Sequence, residues 1–169
     1  AEVACHDVPV SELAATRGTV LLLAGVGDPG NAGTLVRSAE AFGASGVVFA
    51  DGVDPYNPKV VRAAAGSTFR LPISLPPGPD PVRGAFEVLA AVGYRLLATT
   101  TDGGIAPEGA PRDRPIVLVV GSEPHGLDDA LVAACDTVIS LPTSGDGDSL
   151  NVAVAGAVLL YVLGRPFAR

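Results

Sequence analysis

The sequence predicts an α/β protein with a mostly parallel sheet and helices on both faces, and three observations predict it. Apolar runs of strand length at residues 20–24, 46–50, 94–100 and 116–120 alternate with helical stretches. The runs are continuous rather than alternating, as in strands covered on both faces. Clusters of Gly, Pro, Asn and Asp mark the transitions between them.

A short helical lead-in is expected at 11–15, then a strand at 20–24 that breaks at the turn cluster 25–31. A helix over about 32–42 carries Leu35, Ala39 and Phe42 on one stripe and stops at Gly43. Asn31 is a good N-cap for it, and Arg37 lies about 200° round from Leu35, away from the apolar stripe. A second strand at 46–50 ends at Asp51, a short helix holds Lys59 and Arg62, and Thr68-Phe69-Arg70-Leu71 reads as a strand. A proline-rich loop precedes a helix over about 82–92. The strand at 94–100, a loop at 101–114, the central strand 116–120, a short helix over about 128–134 and a strand at 136–141 follow.

The chain then passes through the glycine-spaced loop Ser144-Gly145-Asp146-Gly147-Asp148 into a helix whose polar side chains, Ser149 and Asn151, stand at its start. Its body is apolar on every face, and such a helix must be buried. Its polar start therefore brings a hydroxyl, an amide and free N–H groups into the interior or an interface, where they need partners. Gly156 costs about 1 kcal/mol relative to alanine in mid-helix, so it marks a close approach by another element or subunit.

At 169 residues, with 48% hydrophobic and 17% charged residues, the chain fits one globular domain. Residues 1–18 are expected to be a lead-in or the remnant of a linker, and 19–169 the domain. The opening Ala1-Glu2-Val3-Ala4-Cys5-His6 has no initiator methionine and no signal-peptide pattern, which suggests a piece of a longer protein. The longest strongly apolar run, 152–163, is shorter than the roughly 20 residues that cross a bilayer, so no membrane partner is expected. Cys5 and Cys135 suggest reduced cytoplasmic thiols rather than a disulfide framework or metal cluster. A net charge of −7 with a single lysine, Lys59, argues against strong non-specific nucleic-acid binding. A nucleic-acid substrate would have to be gripped by a few arginines, a partner subunit or a region outside this sequence.

Ligands of such sheets sit at the carboxyl ends of the strands. Gly25-Val26-Gly27-Asp28-Pro29-Gly30 fits G-x-G-x-x-G after a strand, with Asp51 at the end of the next strand, as a nicotinamide-dinucleotide (NAD) site requires. Against that, Asp28 would place a carboxylate beside a pyrophosphate and Pro29 removes an N–H donor. Taken alone, the motif fits a ligand-free glycine turn equally well, and Asn31 and Arg37 fit a cap and a solvated arginine. In Gly121-Ser122-Glu123-Pro124-His125-Gly126, glycine at a strand end admits a flat ligand close to the backbone, and Glu123 is an acceptor. His125 has only His6 for company, which gives little support to a hydrolase or metal site. Asn151, in an otherwise apolar helix, is the strongest single anomaly.

Three segments together resemble the motifs of the SpoU (TrmH-type) RNA 2′-O-ribose methyltransferases of the knotted SPOUT class. Asp28-Pro29-Gly30-Asn31-Ala32-Gly33 through Arg37, Ala41 and Phe42-Gly43 resembles the first. Val119-Val120-Gly121-Ser122-Glu123 with Gly126-Leu127 resembles the second. Leu141-Pro142, Gly145 and Ser149-Leu150-Asn151-Val152 with Ala153 resembles the third. Residues 57–62 and 65–67 also look familial, so the resemblance covers nearly everything from about Val20 onward. Thr143 departs from it, standing where the family commonly has methionine.

The resemblance implies S-adenosylmethionine as cofactor, an RNA ribose in rRNA or tRNA as acceptor, a C-terminal trefoil knot, and a homodimer packed through the terminal helix. It places cofactor contacts at Thr99, Thr100, Gly121, Leu141 and Leu150, made mostly by backbone groups. It gives site roles to Asn31, Arg37, Glu123, Ser149 and Asn151. The chemistry is attack by a 2′-hydroxyl on a sulfonium methyl, which needs alignment and the handling of one proton but no metal. An arginine is almost never deprotonated, so Arg37 suits a phosphate clamp or a stabiliser of alkoxide charge better than a base. Ser149 and Asn151 would orient the ribose and loop, and Glu123 would hold Asn31 or the loop. A non-catalytic RNA-binding member of the same fold is the other reading from this resemblance.

Overall fold

A computed structural model describes residues 7–123, 125–144 and 149–164. Six parallel strands form one sheet in the order β3-β2-β1-β5-β4-β6: β1 Val20–Ala24, β2 Gly46–Ala50, β3 Ile73–Ser74, β4 Arg95–Thr99, β5 Ile116–Val120 and β6 Thr137–Ile139. Every residue of β1, β2 and β5 is buried, because alternate side chains enter two separate cores. Leu21, Leu23, Val47, Phe49, Leu118 and Val120 face a core shared with α2 (Pro29–Ala41), α3 (Pro58–Ala63) and α6 (Val152–Gly164). Val20, Leu22, Val48, Val117 and Val119 face a second core, which takes in α1 (Val10–Ala15) and α4 (Pro81–Ala91) and has α5 (Asp129–Ala134) on its margin.

Several expectations change at element ends. Helix α2 starts three residues early because Asp28, not Asn31, is its N-cap: Asp28 Oδ1 accepts from the Asn31 N–H at 2.7 Å, and Pro29 occupies the first turn, where its missing N–H costs nothing. The expected strand at 68–71 is a one-turn 3-10 helix, Ser67–Phe69, entered through Gly66 at φ 87°. Polar ties hold that turn: the Ser67 hydroxyl donates to Glu40 and the Arg70 guanidinium grips the same carboxylate at 2.5 and 2.8 Å. The chain becomes extended only after Pro72, as β3. Both outer strands are short and covered. Val8 N–H donates to the Ile73 carbonyl beside β3, and Ile105 bonds Val138 and Ser140 beside β6.

Helix α6 departs most from expectation. It begins at Val152, and Asn151 precedes it as a cap, with Oδ1 accepting from the Ala153 and Val154 N–H groups at 2.9 and 3.2 Å. Only part of its apolar surface is buried in the single chain. Ala153, Gly156, Leu160 and Leu163 face the core, whereas Val154, Val158 and Tyr161 remain 41–51% exposed. Gly156 lies where α6 crosses α2: a Cβ there would come within 2.3 Å of Leu35 Cδ2.

Gly33 plays the same part between α2 and α3, but against backbone. A Cβ at Gly33 would stand 2.5 Å from the Val60 carbonyl oxygen and 2.9 Å from the Ala64 nitrogen. Gly33→Ala should therefore destabilise the fold by about 1–3 kcal/mol in urea unfolding, and an unchanged midpoint would contradict this packing. Hydrogen bonds from Arg70 and Ser67 hold the Glu40 pKa at about 2, below its ordinary 4.5. A depressed carboxylate contributes stability above its unfolded pKa and loses it as pH falls toward the folded value. Wild-type stability should thus fall between about pH 5 and pH 2 by up to about 1 kcal/mol more than that of Glu40→Gln, a modest difference because the pair is solvent-screened.

Candidate functional site

Parallel strands bring their carboxyl ends to one side, and there a cavity of about 690 Å³ opens, a volume usual for small-molecule sites. Thr99 and Thr100 from the end of β4, Gly121 from β5, Leu141 after β6, and Ser149, Leu150 and Asn151 ahead of α6 all line it. Val152, Ala155 and Leu159 add a stripe of α6. Thus α6 has three apolar faces, toward the core, the cavity and the outside.

Glu123 also lines this cavity and is its hydrogen-bonding node. Because β5 pairs with β1, a side chain just past β5 reaches the loop just past β1. Glu123 Oε1 accepts from Asn31 Nδ2 at 3.1 Å and from the Asp28 N–H at 3.3 Å, and Oε2 accepts from the Gly27 N–H at 3.4 Å. Asn31 Oδ1 in turn accepts from Asn151 Nδ2 at 3.0 Å. One chain of hydrogen bonds therefore joins the three motif segments. Burial opposes ionisation of Glu123, but the donors from Asn31, Gly27 and Asp28 outweigh it and hold its pKa below the ordinary value.

This arrangement argues against the dinucleotide reading. The N–H groups of Gly27 and Asp28, which would cradle a pyrophosphate, point at a carboxylate of the chain itself. The crevice between β1 and β2 is closed as well. Val26 is buried, its carbonyl accepts from the Val53 N–H at 3.0 Å, and the Gly25 N–H donates to the Ala50 carbonyl. Asp51 sits exposed in the left-handed turn, at φ 63°, that makes this closure.

Gly121 also has a reason the sequence did not reveal. A Cβ there would stand 2.3 Å from the Gly126 carbonyl carbon, because Ser122 and Gly126 exchange backbone hydrogen bonds in a tight turn. The chain's own turn, before any ligand, requires this glycine. The two threonine hydroxyls are internally engaged, Thr99 with the Val119 carbonyl and Thr100 with the Asp102 carbonyl. Each hydroxyl hydrogen is thereby used, which leaves the hydroxyl oxygen as an acceptor, the backbone and the methyl surface for a ligand. Ser149 and Leu150 are exposed.

Arg37 is the predicted site residue that the structure leaves apart. It is exposed on α2, six residues beyond Asn31 and about 9 Å along the axis, and it does not line the cavity. Residues 145–148 of the glycine-spaced loop lie outside the described residues, as do Cys5, His6 and Pro124. Sequence reasoning did not single out Asp102 or the α6 stripe as lining. The 152, 155, 159 spacing was the available signal for the stripe, hidden because every face of that helix is apolar. Among the described residues, no group of three or more His, Cys, Asp and Glu is placed to hold a metal ion, and no helix is long and apolar enough to cross a membrane.

Comparison with known proteins shows the family. The model of the SpoU rRNA Methylase family matches residues 18–161. The chain is 39% identical over 160 residues to the 23S rRNA (guanosine(2553)-2′-O)-methyltransferase RlmP of Bacillus subtilis, covering 94% of this chain and 62% of that protein. Among solved structures, it resembles the SpoU methyltransferase AviRb from Streptomyces viridochromogenes in complex with the cofactor AdoMet, with TM-score 0.78 and 34% identity over 88% of this chain and 57% of that one. It also resembles an AdoMet-bound rRNA methyltransferase from Sinorhizobium meliloti, with TM-score 0.83 and 30% identity over 92% of this chain and 59% of that one. The chain thus spans about three-fifths of the length of these relatives.

The Glu123 node makes a direct prediction. Glu123→Ala leaves Asn31 and two backbone N–H groups without their acceptor and should cost about 1 kcal/mol of stability. Glu123→Gln, which keeps one acceptor oxygen, should cost less. Urea titration of both variants checks this, and equal costs would mean that the retained acceptor oxygen contributes nothing to the node.

Proposed function

Because the chain belongs to the SpoU rRNA Methylase family, we propose that residues 19–169 form the methyltransferase domain of an enzyme that methylates a ribose 2′-hydroxyl of rRNA or tRNA with S-adenosylmethionine. The observation that carries this reading is the strand-end cavity. Residues of the second and third motifs line it, and Asn31 of the first is hydrogen-bonded to both Glu123 and Asn151.

The residues present fit the cofactor. The cavity is large enough for it, Leu141 and Leu150 offer apolar surface to an adenine ring, and Asp102 adds a carboxylate suited to a cationic sulfonium. When bound, S-adenosylmethionine supplies a methyl group already activated for transfer. The protein's part is then alignment and charge. Thr99, Thr100, Gly121, Leu141 and Leu150 hold the cofactor chiefly by backbone groups and shape. Asn31, Ser149 and Asn151 orient the ribose, and Glu123 fixes Asn31. Arg37, always cationic, clamps a phosphate or stabilises the negative charge that develops on the attacking 2′-oxygen.

The chain end is proposed to thread a loop into the trefoil knot that the family resemblance implies. The exposed Val154, Val158 and Tyr161 face of α6 supports a homodimer through that helix, and an RNA-modifying role supports a cytoplasmic location.

Calorimetric titration with S-adenosylmethionine and with NADH tests the cofactor, with binding expected for the first and none for the second. NADH-only binding would reverse the reading. In the same protein, Arg37→Ala should lower methyl transfer to bulk ribosomal or transfer RNA at least a hundredfold while cofactor affinity stays within a few-fold. Equal loss of both would contradict its role. Cofactor and RNA binding without any methyl transfer by the full-length protein would assign a non-catalytic member of the fold.

A further inference from the structure

We propose that the outer face of α2 and α3, carrying Arg37, Lys59 and Arg62, grips the phosphate backbone of the RNA, and that Arg70 keeps this face positive by drawing Glu40 away from Arg37. The inference rests on the RNA reading above and adds the surface that an acidic chain would use for it.

Most of the chain's cations are already engaged. Among the described residues, Arg70, Arg83, Arg95 and Arg114 pair with acids, Arg17 bonds the Val92 carbonyl, and Arg112 has a partner as well. Arg37, Lys59 and Arg62 are exposed and make no side-chain hydrogen bond or ion pair among the described residues. The chain's net charge is −7. These three share two helices locked rigidly together at Gly33, where α2 approaches the Val60 carbonyl and Ala63. Arg37 is one turn beyond Gly33 on α2, and Lys59 and Arg62 stand three apart on α3, on one side of that helix.

Only one acid occurs on either helix, Glu40. It is three residues from Arg37, a spacing at which oppositely charged side chains on a helix pair. Here they do not pair. Glu40 Oε1 takes the Arg70 Nε at 2.5 Å, and Oε2 takes Arg70 Nη2 at 2.8 Å and the Ser67 hydroxyl. These three bonds take most of the carboxylate's acceptor capacity and turn it toward the 3-10 turn. Arg37 is left with its charge uncompensated, six residues along α2 from the Asn31 that meets the cavity-lining Glu123 and Asn151. A phosphate backbone is the partner that three unpaired cations on two packed helices complement.

The test is RNA affinity as a function of salt, using this chain and protein-free ribosomal RNA as the probe. Neutralising two phosphate contacts changes the slope of log affinity against log salt by about 1.4 for single strands. Lys59→Gln with Arg62→Gln should therefore flatten the slope by roughly that amount and weaken low-salt binding about tenfold, with cofactor affinity unchanged. Arg70→Gln should weaken RNA binding several-fold by releasing Glu40 onto Arg37, and adding Glu40→Gln should restore it, which a merely structural loss would not allow. An unchanged slope in the first double variant, failure of the second to restore binding, or absence of RNA binding by the parent chain would each overturn the proposal. Cofactor binding and methyl transfer in the same samples keep the two readings apart. An unchanged slope with transfer intact removes this surface alone, whereas a flattened slope without cofactor binding removes the methyltransferase reading and leaves the phosphate-gripping face.

Discussion

Backbone N–H groups at a loop leaving a strand need acceptors, and at Gly27 and Asp28 the acceptor comes from a side chain about 95 residues away in sequence. Glu123 can serve because the strand order sets β5 against β1. The same carboxylate holds the Asn31 amide, which accepts from Asn151, whose own oxygen caps α6. The polar start of α6 is thereby positioned by an acid beyond a neighbouring strand. Each link is a modest, partly solvated hydrogen bond, but removing the central acceptor orphans several donors at once.

On that anchored start, α6 serves three surroundings with three stripes of one apolar helix. Its core stripe meets α2 so closely that position 156 admits no side chain without displacing Leu35. Its second stripe, Val152, Ala155 and Leu159, walls the cavity. A helix so placed couples the shape of the site to the packing of α2, and α2 also carries Asn31 and Arg37.

The buried strands were legible because two-sided burial leaves a signature in composition: about five consecutive apolar residues bounded by turn clusters mark a strand covered on both faces. The strand-end location of the site followed from the same pattern. Local competition was less visible. Asp28 outcompetes Asn31 as cap because a carboxylate one residue before Pro29 has the better reach to the first free N–H groups. The turn at Ser67–Phe69 forms where a strand was expected because Glu40, 27 to 30 residues earlier, binds Ser67 and Arg70, a partner no local window contains. Gly121 was noticed for a ligand when its own turn demands it. The all-round apolar pattern of α6 called for burial in the interior or an interface, and composition does not say which of its faces meets its own chain.

The sheet's two margins bear on how this molecule meets copies of itself. Beside the two-residue β3 runs the segment at Asp7 and Val8, and beside the three-residue β6 runs Ile105. Among the described residues, little unpaired strand backbone is offered at either border, so a foreign strand finds almost no template there to extend. The greasy outer stripe of α6 can recruit another molecule only side chain to side chain, which favours discrete, reversible pairing over open-ended fibre growth.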